Sequence, residues 1–263
     1  MTKTNLDHDV IISGAGLPGL TLALLLGRAG CRVAVIEACD LSARAQQHDT
    51  SGRTAALIPD NIALLERVGA WDAISPYAAP MRCLRIVDDC DMACEQLIRD
   101  FRAADIGIDN LGHNVPLHTG QIALYEQAKE YANITLLDNT RVYDFVRNDA
   151  GITLRTDDGT PITASLLVGA DGRNSLVRAL AGIETQARNY SQSALTAIVH
   201  HECDHESTSI EFHRPGGPFT LVPMPGQRSA LVWVTDSEEA AGISAMDTAA
   251  QNTAIQARSR DML

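Results

Sequence analysis

The stretch Asp9 to Glu37 reads DVIISGAGLPGLTLALLLGRAGCRVAVIE, and its reading decides the fold. Val10, Ile11 and Ile12 form a short apolar run, as a buried strand does. Gly14, Gly16 and Gly19 then supply G-x-G-x-x-G, and Leu20 to Leu26 continue as an apolar helix that Gly30 ends. Val33 to Ile36 is a second buried strand, closed by Glu37. Each part has a task in holding a dinucleotide. Gly14 permits the tight turn, Gly16 lets the backbone approach a pyrophosphate without an intervening Cβ, and Gly19 lets helix and strand pack closely. The helix N-terminus offers unpaired N–H groups and a positive dipole end to phosphate. Glu37 is placed to accept hydrogen bonds from an adenosine ribose. A lone glycine triad is weak evidence; here it follows a strand, opens a helix, and has its acid about 20 residues on. FAD and NAD both fit this scaffold, whereas a carboxylate at Glu37 repels the 2′-phosphate of NADP.

Working outward, 263 residues accommodate one large domain or two interleaved ones, and 45% apolar residues suffice for a full core. The formal net charge of −12 argues against nucleic-acid binding and against electrostatic docking on anionic lipid. Six cysteines (Cys31, Cys39, Cys83, Cys90, Cys94 and Cys203) include no C-x-x-C pair and read as apolar fillers in a reducing compartment. Cys90 and Cys94 lie beside Asp88, Asp89 and Asp91, but their spacing matches no zinc pattern. No signal peptide opens the sequence, and no apolar run reaches the roughly 20 residues of a membrane span. The expected localisation is cytoplasmic, with a peripheral place at the inner membrane or in a biosynthetic complex left open.

Further elements follow in order. Ala38 to Arg53 is a polar loop, where a nucleotide-facing excursion would sit. Asn61 to Val68 carries a helical stripe, Leu84 to Val87 reads as a strand, and an acidic irregular stretch runs from there to Asn110. Thr119 to Tyr131 is a helix with Ile122, Leu124 and Ala128 expected on its buried side. Strands are expected at Ile134–Leu137, Arg141–Arg147, Ile152–Thr156 and Ile162–Val168, with Asp157-Asp158-Gly159 as a hairpin turn. This order suggests a small antiparallel sheet returning into the main parallel one. From Gln192 the texture turns to short strands (Ala194–His200, Ser209–His213, Phe219–Val222, Ala230–Val234), and Ile243 to Arg258 closes as a helix.

Leu167 to Arg178, LVGADGRNSLVR, is the second strong signal. A buried strand runs into Gly-Ala-Asp-Gly and a helix starts near Asn174 or Ser175, so Asp171 sits at a strand-to-helix turn, either as an ordinary N-cap or as a ligand-facing acid. HHECDHE, from His200 to Glu206, invites a metal reading; on an alternating strand His200 and His201 face opposite ways, which favours a solvated strand end. His113 and His118 are isolated and read as loop or helix-start residues.

Taken jointly, the glycine fingerprint with Glu37, GRTAAL at Gly52 to Leu57, and GADGRNSLVR resemble the single-component flavoprotein aromatic hydroxylases, and within them the ubiquinone-biosynthesis hydroxylases. VHHE at Val199 to Glu202 and GPFTLVPMPG at Gly217 to Gly226 look like that subfamily's substrate-domain strands. The resemblance implies an α/β chain: a Rossmann-like FAD-binding domain of the para-hydroxybenzoate-hydroxylase type, interleaved with a β-rich substrate domain. Residues 1–80 and 113–182 would form the FAD-binding domain, 81–112 a substrate-domain excursion, and 183–263 the β-rich substrate domain and closing helix. FAD would be the cofactor, NAD(P)H and oxygen the co-substrates, and a small aromatic, a prenylated phenol, the substrate. Gly14, Ala15, Gly16 and Gly19 would lie against the FAD pyrophosphate, with Glu37 on the ribose. Arg53 would sit near the flavin, Asp171 and Gly172 would support the pyrophosphate, and Gln121 is the candidate for a polar contact from the mid-chain helix. With flavin supplying the chemistry, no nucleophilic triad or paired carboxylate is required, and no catalytic side chain is assigned. A third family element, a later strand ending in Gly-Asp, is not in this sequence, so the resemblance extends over roughly the first two thirds of such an enzyme. Without that element the parallel sheet is expected to expose apolar surface. A non-catalytic dinucleotide-binding module, and a reductase or halogenase on the same scaffold, are the competing readings.

Overall fold

In the computed structural model of this chain, the described residues are 6–47, 49, 51–88 and 97–259. Strand β1 (His8–Ser13), helix α1 (Leu17–Arg28), strand β2 (Val33–Ile36) and the short helix α2 (Leu41–Arg44) come first. Strand β3 (Thr54–Leu57) and helices α3 (Pro59–Arg67) and α4 (Trp71–Ile74) follow. Strands β4 (Ala79–Met81), β5 (Cys83–Asp88), β6 (Leu97–Arg102) and β7 (Gly112–Pro116) lead into helix α5 (Leu117–Lys129). Next are β8 (Ile134–Leu137), β9 (Val142–Asn148), β10 (Gly151–Thr156), β11 (Pro161–Gly169) and the short helix α6 (Leu176–Leu180). Strands β12 (Gln192–His200), β13 (Thr208–His213), β14 (Phe219–Met224) and β15 (Arg228–Asp236) precede helices α7 (Ser237–Ala245) and α8 (Thr248–Ser259).

These elements fall into two compact units. The first comprises the described parts of Met1–His48, Ala63–Ile74 and His118–Gln186; the second comprises those of Asp49–Ile62, Ser75–Leu117 and Ala187–Leu263. Residues 49–62, 75–80 and 113–117, which the sequence reading placed with the first domain, cluster with the second. Their strands explain it: β3 and β4 both pair with β7 in a small antiparallel sheet.

The first unit is built on a sheet of order β8-β2-β1-β11-β10-β9. The β8, β2, β1 and β11 members run parallel, while β11, β10 and β9 are antiparallel neighbours. The expected antiparallel strands do return into the parallel sheet, making one continuous sheet, because the nine-residue β11 serves both halves. Ile11, Ala34, Ile36, Leu154 and Ala164 form its core.

The second unit carries a sheet of order β12-β15-β14-β13-β5-β6. One face presents Ile210, Phe212, Phe219, Leu221, Leu231 and Trp233 to Ile243 of α7 and Ala254 and Ile255 of α8. Phe219 meets Phe212 and Trp233 edge-on, at ring separations of 6.0 and 5.6 Å. Such T-shaped contacts add to the area they bury.

Three expectations need correction. The stretch before Asn110 is not irregular throughout: Leu97–Arg102 pairs antiparallel with β5, its largely exposed mixture of apolar and charged residues being that of an edge strand. The closing helix is two helices, divided at Met246 and Asp247, where the Asp247 carboxylate accepts the Ala250 N–H and starts α8. His113 lies in β7, where burial lowers its pKa, rather than in a loop. Cys90 and Cys94 lie outside the described residues.

Candidate functional site

Both sequence motifs of the first unit end at the same place. The β1 strand stops at Ser13, and Gly14 turns the chain with φ +104°, a backbone conformation that side chains rarely adopt. A Cβ on Gly14 would lie 2.4 Å from the Ala170 carbonyl oxygen and 2.8 Å from the Asp171 Cα. One on Gly19 would lie 2.0 Å from the Gly14 carbonyl oxygen. The glycine loop and the Ala170–Asp171 turn are therefore in backbone contact, clamped by hydrogen bonds from Gly14 N–H to Ile36 and from Ala170 N–H to Ser13. Gly16 differs: the nearest atom to its missing Cβ is Pro18 Cδ at 3.8 Å, so the space beside its backbone is open. Gly16 is also the N-cap of the 12-residue α1 and provides no side-chain cap. That bare helix start suits an anion.

A cavity of about 490 Å³ opens at this point. Gly14, Gly16, Glu37, Gln121, Asp171 and Gly172 all line it, so six sequence-assigned residues from four separate stretches are brought together. Ala15 joins them through hydrogen bonds: its N–H donates to Glu37 Oε2 (2.8 Å), and its carbonyl accepts from Gln121 Nε2 (2.8 Å). Glu37 Oε1 also accepts the Cys39 N–H at 3.0 Å. A carboxylate has about four lone-pair sites, so two remain for a ligand diol while two hold the loop.

Asp171 serves as a cap at its strand-to-helix turn and also lines the cavity. Its carboxylate accepts the Ser175 hydroxyl (2.5 Å) and the N–H groups of Leu176 (2.8 Å) and Val177 (3.2 Å). Ser175, in turn, caps α6 by accepting the Arg178 N–H. The acid fixes the turn that presents Gly172 and the Ala170 backbone. Arg53 is an exposed residue of the second unit; its carbonyl accepts the Leu117 N–H, and its own N–H donates to Ser51 Oγ.

The sequence reading missed Arg44 and Arg141, two cationic residues that line the same cavity. Arg44 lies in the polar loop after Glu37, so its signal was present; its Nε donates to His118 Nδ1 at 3.4 Å. Arg141 precedes β9 and carries no local pattern. A bare helix start, an uncovered glycine, two arginines and a carboxylate with spare acceptors fit a diphosphate joined to a ribose.

The HHECDHE stretch forms a turn held by its own imidazoles. His201 bonds the Cys203 carbonyl (2.6 Å) and Ser229 Oγ (3.0 Å); His205 donates to the Met224 carbonyl (2.9 Å) and accepts the Ser207 N–H (3.0 Å). Among the described residues no group of three or more His, Cys, Asp or Glu is arranged to hold a metal ion. Among them, too, no helix is long and apolar enough to cross a membrane.

Comparison with known proteins gives a consistent result. The family described as an FAD binding domain matches residues 7–260. A ubiquinone hydroxylase, UbiL, of Rhodospirillum rubrum is 34% identical over 239 residues, covering 90% of this chain and 54% of that protein. The 3-demethoxyubiquinol 3-hydroxylase of Escherichia coli is 30% identical over 232 residues, covering 88% of this chain and 58% of that protein. The chain thus spans little more than half the length of these relatives. Among solved structures, PqsL of Pseudomonas aeruginosa, a probable FAD-dependent monooxygenase, superposes with a TM-score of 0.73 at 26% identity, over 90% of this chain and 62% of that one. Aklavinone-11 hydroxylase with FAD and aklavinone shares the fold, with a TM-score of 0.71 at 24% identity over 96% of this chain and 50% of that one.

Proposed function

The chain belongs to the FAD binding domain family, and from that premise we propose that it is part of a flavoprotein that hydroxylates an aromatic ring. The substrate class is a prenylated phenol of ubiquinone biosynthesis, and NAD(P)H and oxygen are the co-substrates. The observation that carries the reading is the open backbone at Gly16, set between the Ala170–Asp171 turn and Glu37 in one cavity. The residues fit the adenosine-diphosphate half of FAD. When bound, FAD supplies the redox chemistry.

The chain's own groups bind and orient. The N-terminus of α1 and the Gly16 backbone take the diphosphate; Arg44 and Arg141 offset its charge. Glu37 accepts the ribose hydroxyls with the lone pairs that Ala15 and Cys39 leave over. Gln121 and Asp171, which also line the cavity, keep the loop and turn in register. Arg53 remains a proposed cofactor residue on the strength of the resemblance alone, and the second unit is the proposed substrate domain. The similarity to ubiquinone hydroxylases in two bacteria supports the substrate class. The working site of the protein is cytoplasmic, with a peripheral place at the membrane where a prenylated phenol dissolves.

Titration of FAD into the purified chain tests the cofactor claim. A yellow band that survives gel filtration and an FAD-dependent rise in Tm are expected; absence of both refutes it. NADPH oxidation that rises with an added phenol separates the hydroxylase from a non-catalytic dinucleotide-binding module.

A further inference from the structure

Helix α5 holds more of the dinucleotide cavity than Gln121 alone. His118, Gln121 and Tyr125 stand at i, i+3 and i+7 along it, so their side chains share one stripe. Each member ties down a different segment. Gln121 Nε2 donates to the Ala15 carbonyl of the glycine loop at 2.8 Å. The Tyr125 hydroxyl donates to Asp138 Oδ2 at 3.1 Å and, with its proton used there, accepts the Ser42 hydroxyl at 3.1 Å. His118 Nδ1 accepts the Arg44 Nε–H at 3.4 Å. Ser42 and Arg44 both belong to α2, so two of the three ties converge on that short helix.

Four residues are too few for a helix to stand alone. Asp40 caps its start by accepting the Ala43 N–H at 2.8 Å, buried Leu41 anchors it, and the Ser42–Tyr125 bond adds a third hold. These contacts place the backbone of α2 but leave the long Arg44 side chain free to turn. The bond from Nε to His118 supplies the missing constraint. His118 does not itself line the cavity, whereas Arg44 does. A guanidinium carries five N–H groups, and a bond at Nε leaves the four on its terminal nitrogens, the pair that meets a phosphate in bidentate fashion. A neutral imidazole that accepts at Nδ1 keeps its own proton on Nε2. Its task is then to direct the neighbouring charge rather than to add one.

We propose that His118 is a positioning residue for the cofactor: its Nδ1 holds Arg44 at Nε and so aims the terminal guanidinium nitrogens at the diphosphate. The inference rests on the reading of Arg44 as a diphosphate residue. It concerns one part of the ligand only, so adenosine, which has no diphosphate, must be blind to it.

The test measures Kd of the chain for FAD and ADP by isothermal titration, and for adenosine by competition with FAD. His118→Ala should weaken FAD and ADP about three- to tenfold, the worth of one hydrogen bond, and leave adenosine unchanged. His118→Asn places its Oδ1 where Nδ1 stood and should restore the parent affinity. His118→Gln reaches to the Nε2 position instead and should not. Arg44→Ala should weaken FAD and ADP by about tenfold or more, and adding His118→Ala to it should cost nothing further. ADP affinity unaltered in His118→Ala, an equal loss for adenosine, or full additivity with Arg44→Ala overturns the positioning role. Should His118→Ala fail to fold, the amide pair decides: equal affinities for Asn and Gln overturn the role as well. If Arg44→Ala itself leaves ADP binding unchanged, the diphosphate reading of Arg44 falls and the role of His118 with it. A loss in Arg44→Ala without one in His118→Ala overturns the inference alone.

Discussion

In β2 of the first unit all four residues are buried, whereas in β14 of the second burial alternates from Phe219 to Pro223, with Thr220 and Val222 only half covered before Met224 is buried at the strand's end. Successive residues of a strand face opposite ways, so β2 is covered on both faces and β14 chiefly on one. The sites follow the same division. At the first sheet the ligand cavity is made largely of backbone at strand ends, with side chains tying one loop to the next. In the second, side chains carry the energetics: a file of aromatic rings packs under two helices. A unit whose function lies in its backbone is sensitive to a single methyl group. A unit held by side chains is sensitive to lost volume.

Phe219→Ala gives the largest expected effect. Phe219 is fully buried between Phe212 and Trp233, and large-to-small changes of this kind cost about 3–5 kcal/mol. Urea unfolding followed by Trp233 fluorescence should show that loss, while FAD binding by the first unit, read separately, should persist in the folded fraction. Equal loss of both would break the division between the two units.

Gly14→Ala should come next, at about 2–4 kcal/mol, with FAD binding abolished. The matched control is Gly30→Ala, also at positive φ (+86°) but with no atom within 4 Å of the added Cβ. It bears the backbone strain alone, about 1 kcal/mol. If the two variants unfold at the same denaturant concentration, the contact with Ala170 contributes nothing and the backbone argument fails. Glu37→Gln is smaller again. The amide keeps one acceptor oxygen for the two N–H groups now held, and charge-assisted bonds are worth about 1.5–3 kcal/mol. Isothermal titration should show FAD Kd rising at least tenfold, with Tm of the apoprotein falling little.

The same contrast governs what was legible. The Gly14 to Glu37 part of the first unit's cavity stands in one contiguous stretch, because glycine at a tight turn and an acid at a strand end are local necessities. For Asp171 the cap at the start of α6 was one of the two readings its turn left open. Gln121 was visible as a position but not its task, since the Ala15 carbonyl it holds lies 106 residues away and no spacing encodes it. Arg141 escaped for the same reason. The chain's β6 was hidden because LIRDFR places three charges among three apolar residues, a pattern set by its edge position and by pairing with β5.

The smallest expected effect separates the units by charge. Each unit has carboxylates that tie neighbouring segments of its sheet, and Asp7 and Asp100 are the two to compare. In the first unit the Asp7 pKa is lowered by the hydroxyl and then the backbone N–H of Thr163, which donate at 2.7 and 3.0 Å. In the second, hydrogen bonds from the Arg85 guanidinium, at 2.7 and 2.9 Å, lower that of Asp100, with Arg102 assisting. Both groups therefore favour the folded state above the ordinary carboxylate range, and that contribution is lost as pH falls through the depressed folded value. Both are solvated, so each effect should stay below about 1 kcal/mol. They part on salt. The arginine pair is partly exposed and should be screened at 0.5 M salt, whereas neutral donors to Asp7 should be nearly indifferent to it. Urea midpoints measured between pH 5 and pH 3 should flatten for Asp100→Asn relative to the parent at low salt, and that difference should shrink in high salt. For Asp7→Asn it should remain. Equal salt dependence at both positions would mean that charge, rather than hydrogen bonding, holds both sheets at these points.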